Sequence, residues 1–138
     1  MAIKLPEGVK KLLTDKAYGH VITHSPKGKV QVTMVWMDVD GDTVLVNTAA
    51  GRLKVRNIEN DPRIQVSVQD RNDPQSYVLV EGKGTLTRDG AEDNIDKLAK
   101  RFMGMDKYPW RQPGEERILI RIAVDRISGF GPGMRPWA

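Results

Sequence analysis

Between Val30 and Asp38 the chain alternates: Val30, Val32, Met34 and Trp36 fall on one face of an extended segment, and Gln31, Thr33, Val35 and Met37 on the other. That period predicts a strand. A second alternation, Ile118, Ile120, Ile122 and Val124, predicts another over Arg117–Ser128. Further strands are predicted over Ala17–His24, Thr43–Thr48, Ile64–Gln69 and Ser76–Thr87. Asp40-Gly41 closes a hairpin, Ser25-Pro26-Lys27-Gly28 marks a turn, and Gly82 with Gly84 predicts a bulge or bend. The period lengthens to that of a helix in three places. These are Pro6 to about Asp15, Gly51–Asn60 and Ala91–Met103, the last with Ile95, Leu98, Ala99 and Phe102 at core spacing. Asn60-Asp61-Pro62 ends the second helix, because the residue before proline avoids helical geometry. The loop Gly104–Glu116 carries Tyr108 and Trp110, and no regular structure is predicted for the end, GFGPGMRPWA. Six short strands with few helices predict a mainly β, closed or half-closed antiparallel barrel.

Length and composition narrow this picture. At 138 residues the chain is read as one domain, 1–138. It lacks cysteine, which excludes disulfides, thiolate-held clusters and thiol nucleophiles and fits a reducing cytoplasm. No apolar run is long enough to span a bilayer, and the N-terminus is too charged for a secretory signal. The formal charge of +4 favours an anionic partner. With no Lys/Arg block and few aromatics, nucleic acid is not the expected one.

The stretch Thr43–Val68 concentrates the candidate chemistry. A strand ends on Asn47 and Thr48, and a short helix follows carrying Arg52, Lys54 and Arg56. Cationic heads beside small polar donors are what a phosphate requires. The same stretch also fits a solvated helix between strands, and spacing leaves both readings open. Gln31 and Thr33 share a strand face and can hydrogen-bond a ring edge.

Other motifs resolve into structure. His20 and His24 lie on a β-branched segment, which puts their rings roughly 13 Å apart, too far to share an ion. Asp38–Asp42 has the wrong glycine and no Glu for a calcium loop. Dinucleotide, Walker and nucleophile-elbow fingerprints are absent. Glu115 and Glu116, beside Arg117, read as solvated charge. A cofactor-sized constellation without an evident catalytic side chain points to chemistry carried by a cofactor.

The block Arg52-x-Lys54-x-x-Asn57-Ile58, followed by Asn60-Asp61-Pro62-Arg63 and the ending Gly131-Pro132-Gly133-Met134-Arg135, resembles the pyridoxamine-phosphate-oxidase-like split β-barrel superfamily. Within it the chain is most similar to the small flavin- and deazaflavin-dependent oxidoreductases of actinobacteria, the B group. The opening helix, the Tyr18–Thr23 strand, Gln31-Val32-Thr33 and Val80-Glu81-Gly82 extend the likeness along nearly the whole chain. The resemblance implies a six-stranded split barrel and a homodimer with cofactor sites at the subunit interface. It implies coenzyme F420, with FMN the alternative, its phosphate on Arg52 and Lys54. Gln31, Thr33, Val35, Asn47, Thr48 and Asn57 complete the expected cofactor set. Tyr77, Val78, Met134 and Arg135 of a second subunit are expected to cover the ring. The implied reaction is hydride transfer from reduced deazaflavin to an unsaturated small molecule. An FMN-dependent pyridoxamine-phosphate-oxidase-like enzyme and a non-catalytic F420- or flavin-binding carrier are the other readings. Compared with true pyridoxamine-phosphate oxidases, an extended C-terminus with its Arg-x-His pattern for holding substrate is not expected, and pyridoxal-phosphate synthesis is therefore not the expected activity.

Overall fold

The computed structural model describes residues 2–137. Its elements follow the order α1 (Glu7–Thr14), β1 (Tyr18–His24), β2 (Val30–Asp40), β3 (Thr43–Ala49), α2 (Leu53–Asn60), β4 (Arg63–Gln69), β5 (Tyr77–Thr87), α3 (Ala91–Met103) and β6 (Arg117–Phe130). The six strands close into an antiparallel barrel in the order β1-β2-β3-β6-β5-β4, with β4 pairing back to β1. The expected barrel is present.

The barrel interior is dry and aliphatic. Val21, Met37, Val44, Val46, Ile64, Val66, Val80, Ile120, Ile122 and Val124 are essentially inaccessible and form one cluster. Helix α1 adds Val9, Leu12 and Leu13, and α2 adds Ile58. Burial of side chains of this size contributes about 1.5–3 kcal/mol each before chain entropy is counted. The start of β6 is covered on both faces, because Leu119 packs outside the barrel with Leu45 and Ala91. The apolar alternation of β6 is therefore absorbed within one barrel. That of β2 is not: Val30, Val32 and Met34 project outward and are 57%, 55% and 56% exposed.

Helix α3 is bounded by two left-handed glycines, Gly90 and Gly104, with Glu92 and Asp93 in its first turn and Lys100 and Arg101 in its last, matching the helix dipole. It is pinned to β2 through a buried carboxylate. Asp38 accepts from both Nη atoms of Arg101 at 3.2 Å and from Asn94 Nδ2 at 2.9 Å. The register of β5 against β6 shifts between Glu81 and Gly82, where the glycine pair predicted an irregularity. A Cβ at Gly82 would fall 2.1 Å from the Ala123 carbonyl oxygen, so only glycine fits.

Two departures from expectation concern ends. Helix α2 begins at Leu53, because Arg52 is extended at its N-cap. The C-terminal stretch is ordered. β6 runs on to Phe130, a 3-10 turn spans Pro132–Met134, and Trp137 Nε1 donates to the Tyr77 carbonyl at 2.9 Å.

The barrel is split on one side. β2 and β3 pair only over Met37–Asp40 and Thr43–Val46. Beyond that short ladder β2 stays with β1 while Asn47, Thr48 and Ala49 stay with β6. No helix of the described residues is long and apolar enough to cross a membrane.

Candidate functional site

A cavity of roughly 190 Å³ lies where β2 and β3 part. Met34, Val35 and Trp36 form its β2 wall, and Asn47 and Thr48 its β3 wall. Ile95 and Leu98 of α3 also line it. Clefts that enclose a drug-sized ligand usually hold about 300–1,000 Å³. Here Tyr108 and Trp110, from the segment between α3 and β6, line the space as well. Five of the eight aromatic residues, Tyr18, Trp36, Phe102, Tyr108 and Trp110, form one contact set beside it. Trp36 lies flat on Phe102, with centroids 4.8 Å apart and 8° between planes.

Three cations converge on the polar end. Arg52 closes β3 into α2, Lys54 sits in the first turn of α2, and Arg117 opens β6. Lys54 and Arg117 are almost fully buried. Burial, and then the charges of Arg52 and Arg117, push the Lys54 ammonium below its ordinary pKa. Lys54 has no acidic partner among the described residues. Arg117 Nε donates to Asn47 Oδ1 at 2.9 Å, and its guanidinium lies 5.1 Å from the centre of the Tyr108 ring. The Asn47 amide nitrogen donates to the Ala91 carbonyl at 2.8 Å and to Asn94 Oδ1 at 3.0 Å. A continuous chain of hydrogen bonds thus runs from Asp38 through Asn94 and Asn47 to Arg117.

The cluster is polar but not self-satisfied. Among the described residues, Thr48 Oγ1, Arg117 Nη1 and Glu115 Oε2 are buried without a hydrogen-bond partner. Arg117 Nη1 does lie 3.3 Å from Glu115 Oε1, an ion-pair separation without hydrogen-bond alignment. Buried unpaired donors beside an uncompensated ammonium fit a phosphate group, which brings charge and several acceptors at once. The residues present therefore fit a phosphate-bearing cofactor.

The residues expected from sequence separate into groups. Val35, Asn47, Thr48, Arg52 and Lys54 meet at the cavity. Gln31 and Thr33 do not line it, and Gln31 Oε1 lies 3.3 Å from Thr23 Oγ1. Asn57 is placed elsewhere: its amide donates to Thr23 Oγ1 at 3.1 Å and ties α2 to β1 inside the fold. Val78 is wholly buried in the barrel core, so its side chain cannot cover a ring of another molecule. Tyr77, Met134 and Arg135 are outside the cavity lining, while Tyr77 borders a second hollow of roughly 390 Å³ with Tyr18, His20 and Arg71. Glu115 is not solvated charge, since its side chain is 8% exposed and lies against Arg52 and Arg117. Trp36, Tyr108, Trp110 and Arg117 line the cavity without having been singled out from sequence. The signal available was local: three of the eight aromatic residues, Phe102, Tyr108 and Trp110, fall close together just before Arg117.

Among solved structures, an F420 reductase is 30% identical to this chain, with a TM-score of 0.76 over 90% of this chain and 98% of that one. A conserved hypothetical protein of Mycobacterium tuberculosis shares the fold at 18% identity and a TM-score of 0.70, covering 99% of this chain and 86% of that one. The General Stress Protein 26 of Bacillus anthracis does so at 21% and 0.67, over 88% and 90%. The profile of the pyridoxamine 5'-phosphate oxidase family matches residues 5–130, which spans every strand of the barrel. With its closed six-stranded barrel and its cationic cleft at the parting of two strands, the chain belongs to the pyridoxamine 5'-phosphate oxidase family.

Proposed function

We propose that the protein is an F420-dependent reductase that delivers a hydride to an unsaturated small molecule. The observation that carries this reading is the buried Lys54, which has no acidic partner among the described residues and shares the cavity lining with Arg52, Arg117 and the unpartnered hydroxyl of Thr48. The likeness to an F420 reductase over nearly the full length of both chains supports F420 as the occupant. The description of the matching family supports FMN as the alternative, with an oxidase activity.

Lys54, Arg52 and Arg117 would hold the cofactor phosphate, and Thr48 would donate its hydroxyl to a phosphate oxygen. Asn47 keeps Arg117 aimed into the cleft. Met34, Val35 and Trp36 supply an apolar wall that excludes water from one side of a flat ring. When bound, the deazaflavin supplies a two-electron hydride donor that reacts poorly with oxygen.

The protein acts as a homodimer in this reading. The outward stripe Val30, Val32 and Met34 supports a second copy packing on β2, and Tyr77, Met134 and Arg135 would then close its cofactor site.

Titration of the purified protein with F420 and FMN tests the cofactor. Reduced F420 with a panel of enones, quinones and tetrapyrroles under nitrogen tests the reaction. Reoxidation above the protein-free rate is expected for at least one of them. Tighter FMN binding with oxidase activity in air would replace F420 by FMN. Tight F420 binding without any reoxidation would leave a carrier.

A further inference from the structure

We propose that Glu115 is a tethered counter-anion that decides which anions enter the cleft, and that a phosphate displaces it. The inference rests on the reading of Arg52, Lys54 and Arg117 as an anion grip, though not on the identity of the cofactor.

Glu115 lies in the segment between α3 and β6 that also brings Tyr108 and Trp110 to the cavity. Its carboxylate is 3.3 Å from Arg117 Nη1 and 3.7 Å from Arg52 Nη2. The other carboxylate oxygen is buried with no partner, and so is Arg117 Nη1. Elsewhere this fold shows what a settled carboxylate–guanidinium pair looks like: Asp38 accepts two hydrogen bonds from Arg101 and a third from Asn94. Glu115 supplies charge to the cluster but leaves its donors unsatisfied. It also reaches only two of the three cations, because Lys54 has no acidic partner among the described residues.

The segment turns at two left-handed glycines. It is bounded by Gly104 at φ 70° and carries Gly114, at φ 73°, directly before Glu115. At Tyr108 and Arg111 it is tied to α3, where Arg111 binds Glu92 and Asp96 and the Tyr108 amide donates to Asp96; beyond Glu115, the Glu116 carbonyl accepts from Ala50 N at 2.8 Å and its carboxylate pairs with Arg88. In this proposal the Glu115 carboxylate swings off the cations while Tyr108 and Arg111 stay docked.

A tethered carboxylate acts at an effective concentration of millimolar or more. A free monocarboxylate that replaces it exchanges like for like and gains nothing. Phosphate brings a second charge and additional acceptors, and these can reach Lys54 and Thr48 as well. Glu115 thus excludes ordinary carboxylates and admits phosphates.

The test compares wild type with Glu115→Gln by NMR titration of inorganic phosphate and of acetate, together with hydrogen exchange of residues 112–116. Wild type should bind phosphate and show no acetate binding in the same range. Glu115→Gln should bind phosphate about tenfold more tightly and acquire measurable acetate binding. Exchange at residues 112–116 of the wild type should accelerate on saturation with phosphate. Unchanged or weaker phosphate binding by the variant would make Glu115 a brace for the arginines and overturn the proposal. So would slowed or unaltered exchange at residues 112–116, a result that decides the matter even if the variant does not fold. Failure of both proteins to bind phosphate would overturn it too. Phosphate displacement of Glu115 without turnover of F420 or FMN would defeat the proposed reaction alone. Turnover with a wild-type response from Glu115→Gln would defeat this proposal alone.

Discussion

Asn47 accepts a 2.9 Å hydrogen bond from Arg117 Nε, linking the end of β3 to the start of β6 behind the cationic cluster. The contact fixes the direction of a guanidinium that is 5% exposed. Asn47→Leu removes the acceptor and leaves a buried donor unpaired, at a cost of about 1–3 kcal/mol. The expected result is a lower Tm and weakened cofactor binding together, read by thermal denaturation and by titration with F420. Unaltered binding in a folded variant would show that Arg117 needs no orienting partner.

Lys54→Ala should weaken cofactor binding by about tenfold or more, since a charged hydrogen bond contributes about 1.5–3 kcal/mol. Arg88, whose exposed side chain pairs with Glu116, is the control: Arg88→Ala should change binding little. Equal losses from both would indicate diffuse attraction rather than a site.

The same lysine makes a second prediction, with the opposite sign for stability. Its native pKa is lowered from 10.5, chiefly by burial. Between that lowered value and 10.5 the unfolded chain binds more protons, so native stability gains with rising pH across this window. Lys54→Met should be more stable than wild type at neutral pH, and the difference should shrink as pH climbs towards 10.5. Urea denaturation of both proteins over a pH series measures it. A variant less stable than wild type at pH 7 would contradict this account of Lys54.

Asn57→Ala should act on the fold and spare the site. Its amide holds Thr23 across α2 and β1, remote in sequence and fully buried. A loss of about 1–3 kcal/mol is expected, seen as a fall in the urea midpoint, with phosphate affinity unchanged per folded molecule. A selective loss of affinity would return Asn57 to the site.

Val32→Glu tests the outward stripe of β2. Val32 is 55% exposed, so the barrel itself tolerates the change. Sedimentation should show wild type as a dimer and the variant as a monomer. A wild-type monomer at micromolar concentration would remove the dimer from the proposed function.

Local pattern carried most of the fold. The spans of β2, β3, β4 and α3 lie within two residues of the alternation and helical period that predicted them, and Gly82 marked its bulge. What pattern could not carry was pairing at a distance. Asn57 sits in a basic helix next to Lys54, and nothing local reveals that its partner is Thr23. Arg117 begins an apolar strand, and Glu115 lies in a polar loop. Their burial exists only because β6 pairs with β3 and α3 packs alongside. The two faces of β2 were legible as faces, but which one the core would take depends on closure of the barrel, a property of all six strands.

The parting of β2 from β3 has a consequence for main-chain valence. Met37 N donates to Ala17 O on the β1 side, so strict alternation turns the N–H and C=O of Trp36 and Met34 towards the gap. There a strand would have supplied partners; under the proposed function a flat heterocycle with an amide edge would take that place. Recognition of that kind has no side chain to lose. Residues 34 and 36 can change identity while the order of donors and acceptors persists, and only proline, which deletes the N–H, would erase it.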